Sequence, residues 1–303
     1  MQTPVGGLII EAVPAFVFFL LLLMAPAQRE PAAGYEQEIT RWRARREAAL
    51  KADGGWLTVT GLFWLKEGVN TAGSGPKNTI ALPPGSAPGR TGTFLLRKGE
   101  VRFEAAPGAG VTLNGKPVSS TTLKADVPGP ADVLTIGPLS LILLNRGGKY
   151  AIRLKDNNSP FRKEFTGLHW YPVKREYRVV ATFVPYAQPK TISIPTILGT
   201  SEEQQSPGYA EFALDGTTHR LEPVAEGEEL FFIFRDLTSG KQTYPAGRFL
   251  YSAQPENGRV VLDFNKAYNP PCAFTPYATC PLPPPQNRLR VKIEAGELNY
   301  GHH

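Results

Sequence analysis

The stretch "DVLTIGPLSLILLNRGGKYAIRL", residues 132–154, decides the fold class. It contains three short apolar runs, separated by Gly137-Pro138 and by Gly147-Gly148. Short apolar runs bounded by turn residues are typical of β-strands, because a helix needs a longer segment with uninterrupted periodicity. The stretch therefore predicts consecutive antiparallel strands joined by tight turns.

The same pattern continues over most of the chain. Its 303 residues include 30 Gly and 29 Pro, and 42% are hydrophobic, a composition that favours short strands and many turns. The exception is a helix predicted over residues 36–52, with Ile39, Trp42 and Leu50 on one stripe and Gly54-Gly55 ending it. No second long helix is predicted after residue 56. The chain is therefore predicted to be mainly β, with one N-terminal helix.

Residues 156–172, "DNNSPFRKEFTGLHWYP", interrupt the alternating pattern and indicate a boundary or a lid. A second series of strands follows, in which "EEQQSPG" (202–208) is predicted to be an exposed loop and "QNRL" (286–289) to start a last strand. The predicted organisation is a signal peptide (1–27), a lead with the helix (28–55), a β-sandwich (56–155), a connecting segment (156–172) and an antiparallel barrel-like unit (173–303).

The N-terminus indicates export. An apolar run at residues 12–24 is too short for a comfortable membrane span, and Ala25-Pro26-Ala27 has the small–x–small pattern that signal peptidase cleaves. No Lys or Arg precedes the run, which is atypical of a signal peptide. We therefore expect a periplasmic or extracellular monomer, with an uncleaved membrane anchor as the alternative.

The basic residues do not indicate a nucleic-acid surface. The formal net charge is +6, but the cations are scattered. The densest cluster, "RWRARREAALK" (41–51), lies on the predicted helix beside glutamates, which favours a solvated helix face. No nucleic-acid partner is predicted.

Four blocks in order resemble the bacterial domain-of-unknown-function family 1684. These are "GWLTVTGLFWLKEGVNTAGSGPKNTIALP" (55–83), "IRLKDNNSPFRKEFTGLHWYPV" (152–173), "RDLTSGKQTYPAGRFL" (235–250) and "LDFNKAYNPPCAFTPYATCPLPPPQNRLRVKIEAGE" (262–297). The resemblance extends over residues 36–297. It implies an exported or lipid-anchored bacterial protein without an established activity, and it carries no assignment of a reaction.

The first β unit is similar to a forkhead-associated domain, a β-sandwich that binds phosphothreonine peptides. The similarity lies in the "N-x-I-x-L-P" strand (78–83) and the Asn114-Gly115 turn. The phosphate-binding residues differ: Gly73-Ser74 stands where that family has Gly-Arg, and "APGRTGTF" (87–94) replaces its Ser-x-x-His. Without the Arg and the Ser there is no charge-assisted cradle for a phosphate, so only the fold is expected to be shared.

The chain has two cysteines, Cys272 and Cys280, with prolines stiffening both ends of the loop between them. Export would permit a disulfide, which is the favoured interpretation. A zinc site or a nucleophilic cysteine is the alternative. His169 and His219, like the tail pair His302-His303, have no ligand spacing to the cysteines. No metal and no cofactor is predicted.

A polar set in the second β unit is the candidate ligand site. Charged side chains on the inward face of a barrel strand are costly unless they are paired or line a cavity. The candidates are Tyr244, Arg248, Asp263, Asn265, Asn287 and Glu297. Asp263 and Asn265 alternate with Leu262 and Phe264, which places the polar pair on one face.

Several functions are compatible with this set. The favoured one is a cell-envelope protein that binds a small polar or anionic ligand. The first alternative is a hydrolase-like enzyme with Asp263 or Glu297 as base and Arg248 as electrostatic stabiliser, although no hydrolase motif is present. A protein–protein module built on the sandwich is the second. Purely structural ion pairs, Arg248–Asp263 and Arg288–Glu297, are the competing interpretation of the polar set.

Overall fold

The helix predicted at the N-terminus is confirmed. A computed structural model describes residues 32–301, and α1 spans Ala32–Lys51. Its buried positions Tyr35, Ile39 and Leu50 recur at helical spacing and face the rest of the protein. The predicted signal peptide and membrane anchor fall on residues outside the described range. Between residues 32 and 301, no helix combines the length and apolar character needed to cross a membrane.

The first β unit is a sandwich of two sheets. Its strands are β1 (Val59–Trp64), β2 (Gly68–Gly73), β3 (Ile80–Ala81), β4 (Gly92–Arg97), β5 (Glu100–Ala105), β6 (Thr112–Leu113), β7 (Lys116–Pro117), β8 (Ser120–Thr122), β9 (Val133–Ile136), β10 (Leu139–Arg146) and β11 (Lys149–Asp156). One sheet has the order β1-β11-β10-β9-β6-β7 and the other β3-β2-β4-β5-β8. Phe94 and Phe103 from the second sheet share a core with Leu134 and Leu141 from the first.

The opening stretch forms the centre of this sandwich. Strands β9, β10 and β11 pair consecutively and antiparallel, as predicted. Gly147 and Gly148 connect β10 to β11 with φ of 59° and 83°, values that glycine adopts without steric cost. Alternate residues such as Leu141 and Leu143 are buried between the sheets, which explains the apolar runs in the sequence.

The second β unit begins after a short helix, α2 (Pro160–Lys163). Its strands are β12 (Arg178–Pro195), β13 (Ser201–Leu214), β14 (Thr217–Leu221), β15 (Val224–Glu226), β16 (Glu229–Phe234), β17 (Arg248–Ala253) and β18 (Arg259–Asp263). They form a four-stranded sheet, β14-β13-β12-β18, and a three-stranded sheet, β15-β16-β17. One sheet of the protein curls into a half-barrel, so the mainly β, barrel-like prediction is confirmed.

Two local predictions in this unit are wrong. Residues 202–208 belong to β13 and pair with β12 through Glu202↔Ile194 and Gln204↔Ile192. This part of β13 is polar, so its sequence resembles that of an exposed loop. Residues 286–289 form a 3₁₀ turn followed by irregular chain, and β18 is the last strand within the described residues.

The two β units have separate cores. The second is built on Phe212, Phe232, Leu250, Leu262 and Phe264. A smaller cluster joins α1, the connecting segment and the cysteine loop through Leu50, Leu168 and Phe274. The helix therefore lies against the second β unit, where it forms one wall of the groove described next.

Candidate ligand-binding site

A groove of about 660 Å³ lies between α1 and the second β unit. Its lining combines cationic, acidic and aromatic side chains from the helix, from β12, β16, β17 and β18, and from the loop after β18. The lining residues are Trp42, Arg45, Arg46, Arg178, Glu229, Tyr251, Ser252, Ala253, Val261, Asp263, Lys266 and Tyr268. Four of them are cationic and two are acidic, so the groove favours an anion.

Asp263 lies at the end of β18, at the edge of the groove. The register of β12 and β18 places Arg178 directly opposite it, and Arg178 Nε lies 4.0 Å from Asp263 Oδ2. Lys266 Nζ lies 3.7 Å from the same oxygen and also contacts Glu38 Oε1. Asp263 Oδ2 accepts no hydrogen bond in the described structure. Arg178 and Lys266 therefore have N–H groups that are not donated to Asp263 and that can bind another anion.

Asp263 and Asn265 contact each other, but through a turn and not through strand alternation: β18 ends at Asp263, which caps the 3₁₀ turn Phe264–Lys266. Asp263 Oδ1 accepts hydrogen bonds from the Tyr35 hydroxyl at 2.8 Å and from Asn265 N–H at 3.2 Å. Asn265 Nδ2 also donates to the Tyr35 oxygen at 2.9 Å. Burial, with the hydrogen bond to Asp263, raises the pKa of Tyr35 well above its ordinary value. The pair is thus covered by the helix, and only Asp263 reaches the groove.

The aromatic wall of the groove is continuous with the core. Tyr251 stacks on Phe231, its cross-strand partner, with ring centroids 4.7 Å apart. Tyr268 lies almost parallel to Tyr251, with an interplanar angle of 11°. The Arg46 guanidinium covers the Tyr268 ring at 4.5 Å, a distance at which cation–π attraction is effective. These contacts hold Arg46 at the base of the groove.

Glu297 lies behind Arg46 and is 0% exposed. Arg46 Nε is 3.5 Å from Glu297 Oε2. Neither carboxylate oxygen has a hydrogen-bond donor in good geometry within the described residues. Burial raises the pKa of Glu297 to about 7, against the opposing effects of the Arg46 charge and of weak, poorly aligned hydrogen bonding from Asn269 and Arg46.

Arg248 does not reach the groove. It is completely buried, donates to Asp236 Oδ2 at 3.3 Å and to the Ile293 carbonyl at 3.0 Å, and also contacts the Ala295 carbonyl. Burial lowers the pKa of Arg248, and Asp236 counteracts this. Of the ion pairs considered from sequence, neither forms: Arg248 pairs with Asp236, and Glu297 pairs with Arg46.

Tyr244 and Asn287 are also held away from the groove. The Tyr244 hydroxyl donates to the Cys272 carbonyl at 3.0 Å. Asn287 Nδ2 donates to the carbonyls of Glu222 and Ile233, and its oxygen accepts from Glu222 N–H at 2.8 Å. These contacts connect separate chain segments. Among the six candidates, Asp263 alone lines the groove.

Cys272 and Cys280 are neighbours with free, buried thiols. The Cys272 N–H donates to Cys280 Sγ at 3.1 Å. A hydrogen bond between the thiols, together with burial, raises the pKa of Cys280, and the same bond lowers the pKa of Cys272. The disulfide therefore stays a prediction. Within residues 32–301, no three His, Cys, Asp or Glu side chains are grouped so as to hold a metal ion.

The prediction of a solvated helix face is wrong for Arg43 and Arg46. Arg43 Nη2 donates to the Tyr171 carbonyl at 2.9 Å, and Arg46 is held by Glu297 and Tyr268. The partial burial of Arg46 could have been predicted from helical spacing, because Arg46 lies on the same side of α1 as Ile39, Trp42 and Leu50. No sequence pattern predicts the contact between Tyr251 and Tyr268, since it depends on how the loop after β18 folds.

Comparisons with known proteins identify relatives. Residues 163–298 match the family model described as "Protein of unknown function (DUF1684)". An uncharacterized protein of Haloarcula marismortui, solved by NMR, is 32% identical, with 47% of this chain and 81% of that chain covered and a TM-score of 0.40. No protein with a curated description matches the chain.

Two forkhead-associated (FHA) domains also match over a smaller part of the chain. One comes from a study of phosphothreonine-dependent interactions, and the other is the FhaA domain in complex with the intracellular domain of Rv3910. Both are 19% identical with a TM-score of 0.22, and 31% of this chain is covered. The matches cover 92% and 97% of those domains.

Proposed function

We propose that this chain, which belongs to the DUF1684 family of proteins of unknown function, is a cell-envelope protein that binds a small anionic ligand in the groove beside α1. The observation that carries the proposal is the convergence of Arg45, Arg46, Arg178 and Lys266 on one concavity. Export is supported by the apolar run and the small–x–small pattern before residue 28.

The size and composition of the groove support a small molecule as ligand. A volume of about 660 Å³ lies within the usual range of small-molecule sites. Trp42, Tyr251 and Tyr268 supply apolar contact area, while the cations supply charge-assisted hydrogen bonds to carboxylate, phosphate or sulfonate groups. A ligand that combines a negative group with an apolar body would use both kinds of contact.

Replacing Arg45 and Arg178 together with glutamine should weaken anion binding. Both side chains are exposed at the groove and belong to its lining, so their loss removes charge without opening the core. We expect the dissociation constant for sulfate or benzenesulfonate to rise roughly tenfold or more, the effect of losing about 1.4 kcal/mol or more of binding energy. Isothermal titration calorimetry measures it.

The matched control is the double variant Arg102→Gln/Arg220→Gln. Arg102 on β5 and Arg220 on β14 are also exposed and lie outside the groove lining. The control loses the same two charges, so it isolates the groove from the net charge. Equal weakening in both double variants, or no binding of either anion to the wild type, would refute the proposed function.

We also propose that Cys272 and Cys280 form a disulfide when the chain is oxidised. The Cys272 N–H to Cys280 Sγ contact supports this, since it places the two residues in the same corner of the loop. Oxidation joins the two sulfurs, and an external oxidant such as a protein disulfide takes up two electrons and two protons. The short loop limits the entropic stabilisation to about 2.5 kcal/mol.

Thiol titration of the denatured protein tests the disulfide. Protein isolated from an oxidising compartment should contain no free thiol, and reduction should release two thiols and lower the free energy of unfolding. The variant Cys272→Ser/Cys280→Ser should be insensitive to reductant. Two free thiols after exposure to oxidised glutathione would contradict the disulfide and leave the groove unaffected.

A further inference from the structure

Glu297 is an unusual group in this protein. Its carboxyl group is fully enclosed, and both oxygens lack a well-placed hydrogen-bond donor in the described structure. A buried carboxylate without hydrogen bonds carries a large desolvation cost. Other buried carboxylates are better satisfied: Asp236, for example, accepts from Ile293 N–H at 2.6 Å and from Arg248. These surroundings therefore favour the protonated, neutral form of Glu297.

Arg46 links Glu297 to the groove. Its guanidinium donates to the Asn269 carbonyl at 2.9 Å and lies 3.5 Å from Glu297, and Arg46 is one of the residues that line the groove. Arg46 therefore has two possible anionic partners: the buried Glu297 carboxylate and a ligand in the groove. The charge of one partner must affect the affinity for the other.

We propose that Glu297 makes anion binding in the groove proton-linked, by neutralising Arg46 when it is ionised and leaving it available when it is protonated. This inference rests on the proposed function of the groove. Anions should bind more tightly below the ionisation of Glu297 than above it, and binding should be accompanied by proton uptake. Thermodynamic reciprocity requires a bound anion to lower the acid dissociation constant of Glu297 by the same factor, which raises its pKa.

The other ionisable groups around Glu297 do not change charge in the same pH range. Arg46 from α1 and Arg248 from β17 are cations that interact with it, and Tyr268 from the loop after β18 is a further titratable neighbour. Burial raises the pKa of Tyr268 above its ordinary value, so it stays neutral. Burial lowers the pKa of Arg248 and Asp236 opposes this shift, and a guanidinium paired in this way remains a cation near neutral pH. Glu297, with a pKa of about 7, is the member of this cluster that titrates near neutrality.

Calorimetric titration with sulfate and with benzenesulfonate tests the proposal, because the charge of both probes is constant over the pH range used. For the wild type we expect the dissociation constant to increase roughly tenfold between about pH 5.5 and about pH 8.5. The variant Glu297→Gln keeps the shape of the side chain without its charge. It should bind tightly at both pH values and should take up no proton.

The matched control is Glu222→Gln. Glu222 is a buried carboxylate in the same β unit, bonded to Tyr186 and Gln286 and absent from the groove lining. It should retain the wild-type pH dependence. A second measurement avoids mutation: the ¹³C shift of the Glu297 carboxyl carbon should titrate at higher pH with sulfate than without it.

The outcomes separate the two proposals. If neither probe binds the wild type at either pH, the anion groove itself is refuted and this inference with it. If a probe binds and Glu297→Gln retains the pH dependence of the wild type, or the Glu297 pKa does not move with sulfate, the proton linkage is refuted while the groove remains.

Discussion

Replacing Arg248 with methionine is expected to lower the free energy of unfolding by about 3–5 kcal/mol, the usual cost of leaving one partner of a buried ion pair alone. Arg248 is 0% exposed and connects β17 to Asp236, Ile293 and Ala295. Without the guanidinium, the buried Asp236 loses its counter-ion, although Ile293 N–H and the Thr238 hydroxyl still donate to it, and two carbonyls lose their donors. Urea denaturation at neutral pH measures the loss.

The double variant Arg248→Met/Asp236→Asn separates the charge from the packing. Removing both charges should recover a large part of the stability, because no uncompensated carboxylate remains. Groove binding should be unaffected in any variant that folds, since neither residue lines the groove. If Arg248→Met stays within about 1 kcal/mol of the wild type, the ion pair is not essential to the fold.

Replacing Glu297 with glutamine should remove a pH dependence of stability. The pKa of Glu297 is raised from 4.5 to about 7 in the folded protein, so folding favours the protonated form. Protonated Glu297 makes its full contribution to the free energy of unfolding below its unfolded-state pKa. That contribution is lost as the pH rises through about 7. Between about pH 5 and about pH 8, wild type should lose about 2–3 kcal/mol of unfolding free energy relative to Glu297→Gln.

The relevant quantity is the difference in unfolding free energy between wild type and Glu297→Gln, because other groups titrate in both proteins. Chemical denaturation of wild type and Glu297→Gln across the pH range gives the two curves, and their difference isolates Glu297. The buried glutamine amide adds a constant cost that does not depend on pH. Parallel curves would mean that Glu297 is ionised in the folded protein at mildly acidic pH, and would also remove the basis for proton-linked binding.

Much of the architecture is predictable because it depends on local patterns. The strands at residues 132–154 follow from short apolar runs and from Gly147-Gly148, which turn the chain wherever they stand. The polar stretch at 202–208 is mispredicted for the opposite reason. Its side chains are hydrophilic, and its strand character comes from hydrogen bonds to β12, which are non-local.

The candidate site is less predictable. Asp263 and Asn265 are two positions apart in the sequence, and they contact each other through a local turn. Arg248 is paired with Asp236, twelve residues away, and Tyr244 and Asn287 join chain segments. Their residue types are the same in a ligand site and in a buried structural contact, so type alone cannot separate the two.

Motif order, composition and the spacing of apolar residues are enough to predict the family resemblance, the mainly β character and the N-terminal helix. Which polar groups contact one another depends instead on tertiary packing. Packing α1 against the second β unit places Arg46 over Tyr268, within 3.5 Å of the buried Glu297 and in the lining of the groove. Burial and charge pairing of this kind depend on segments more than 200 residues apart, as in the Tyr35–Asp263 and Arg46–Asn269 contacts.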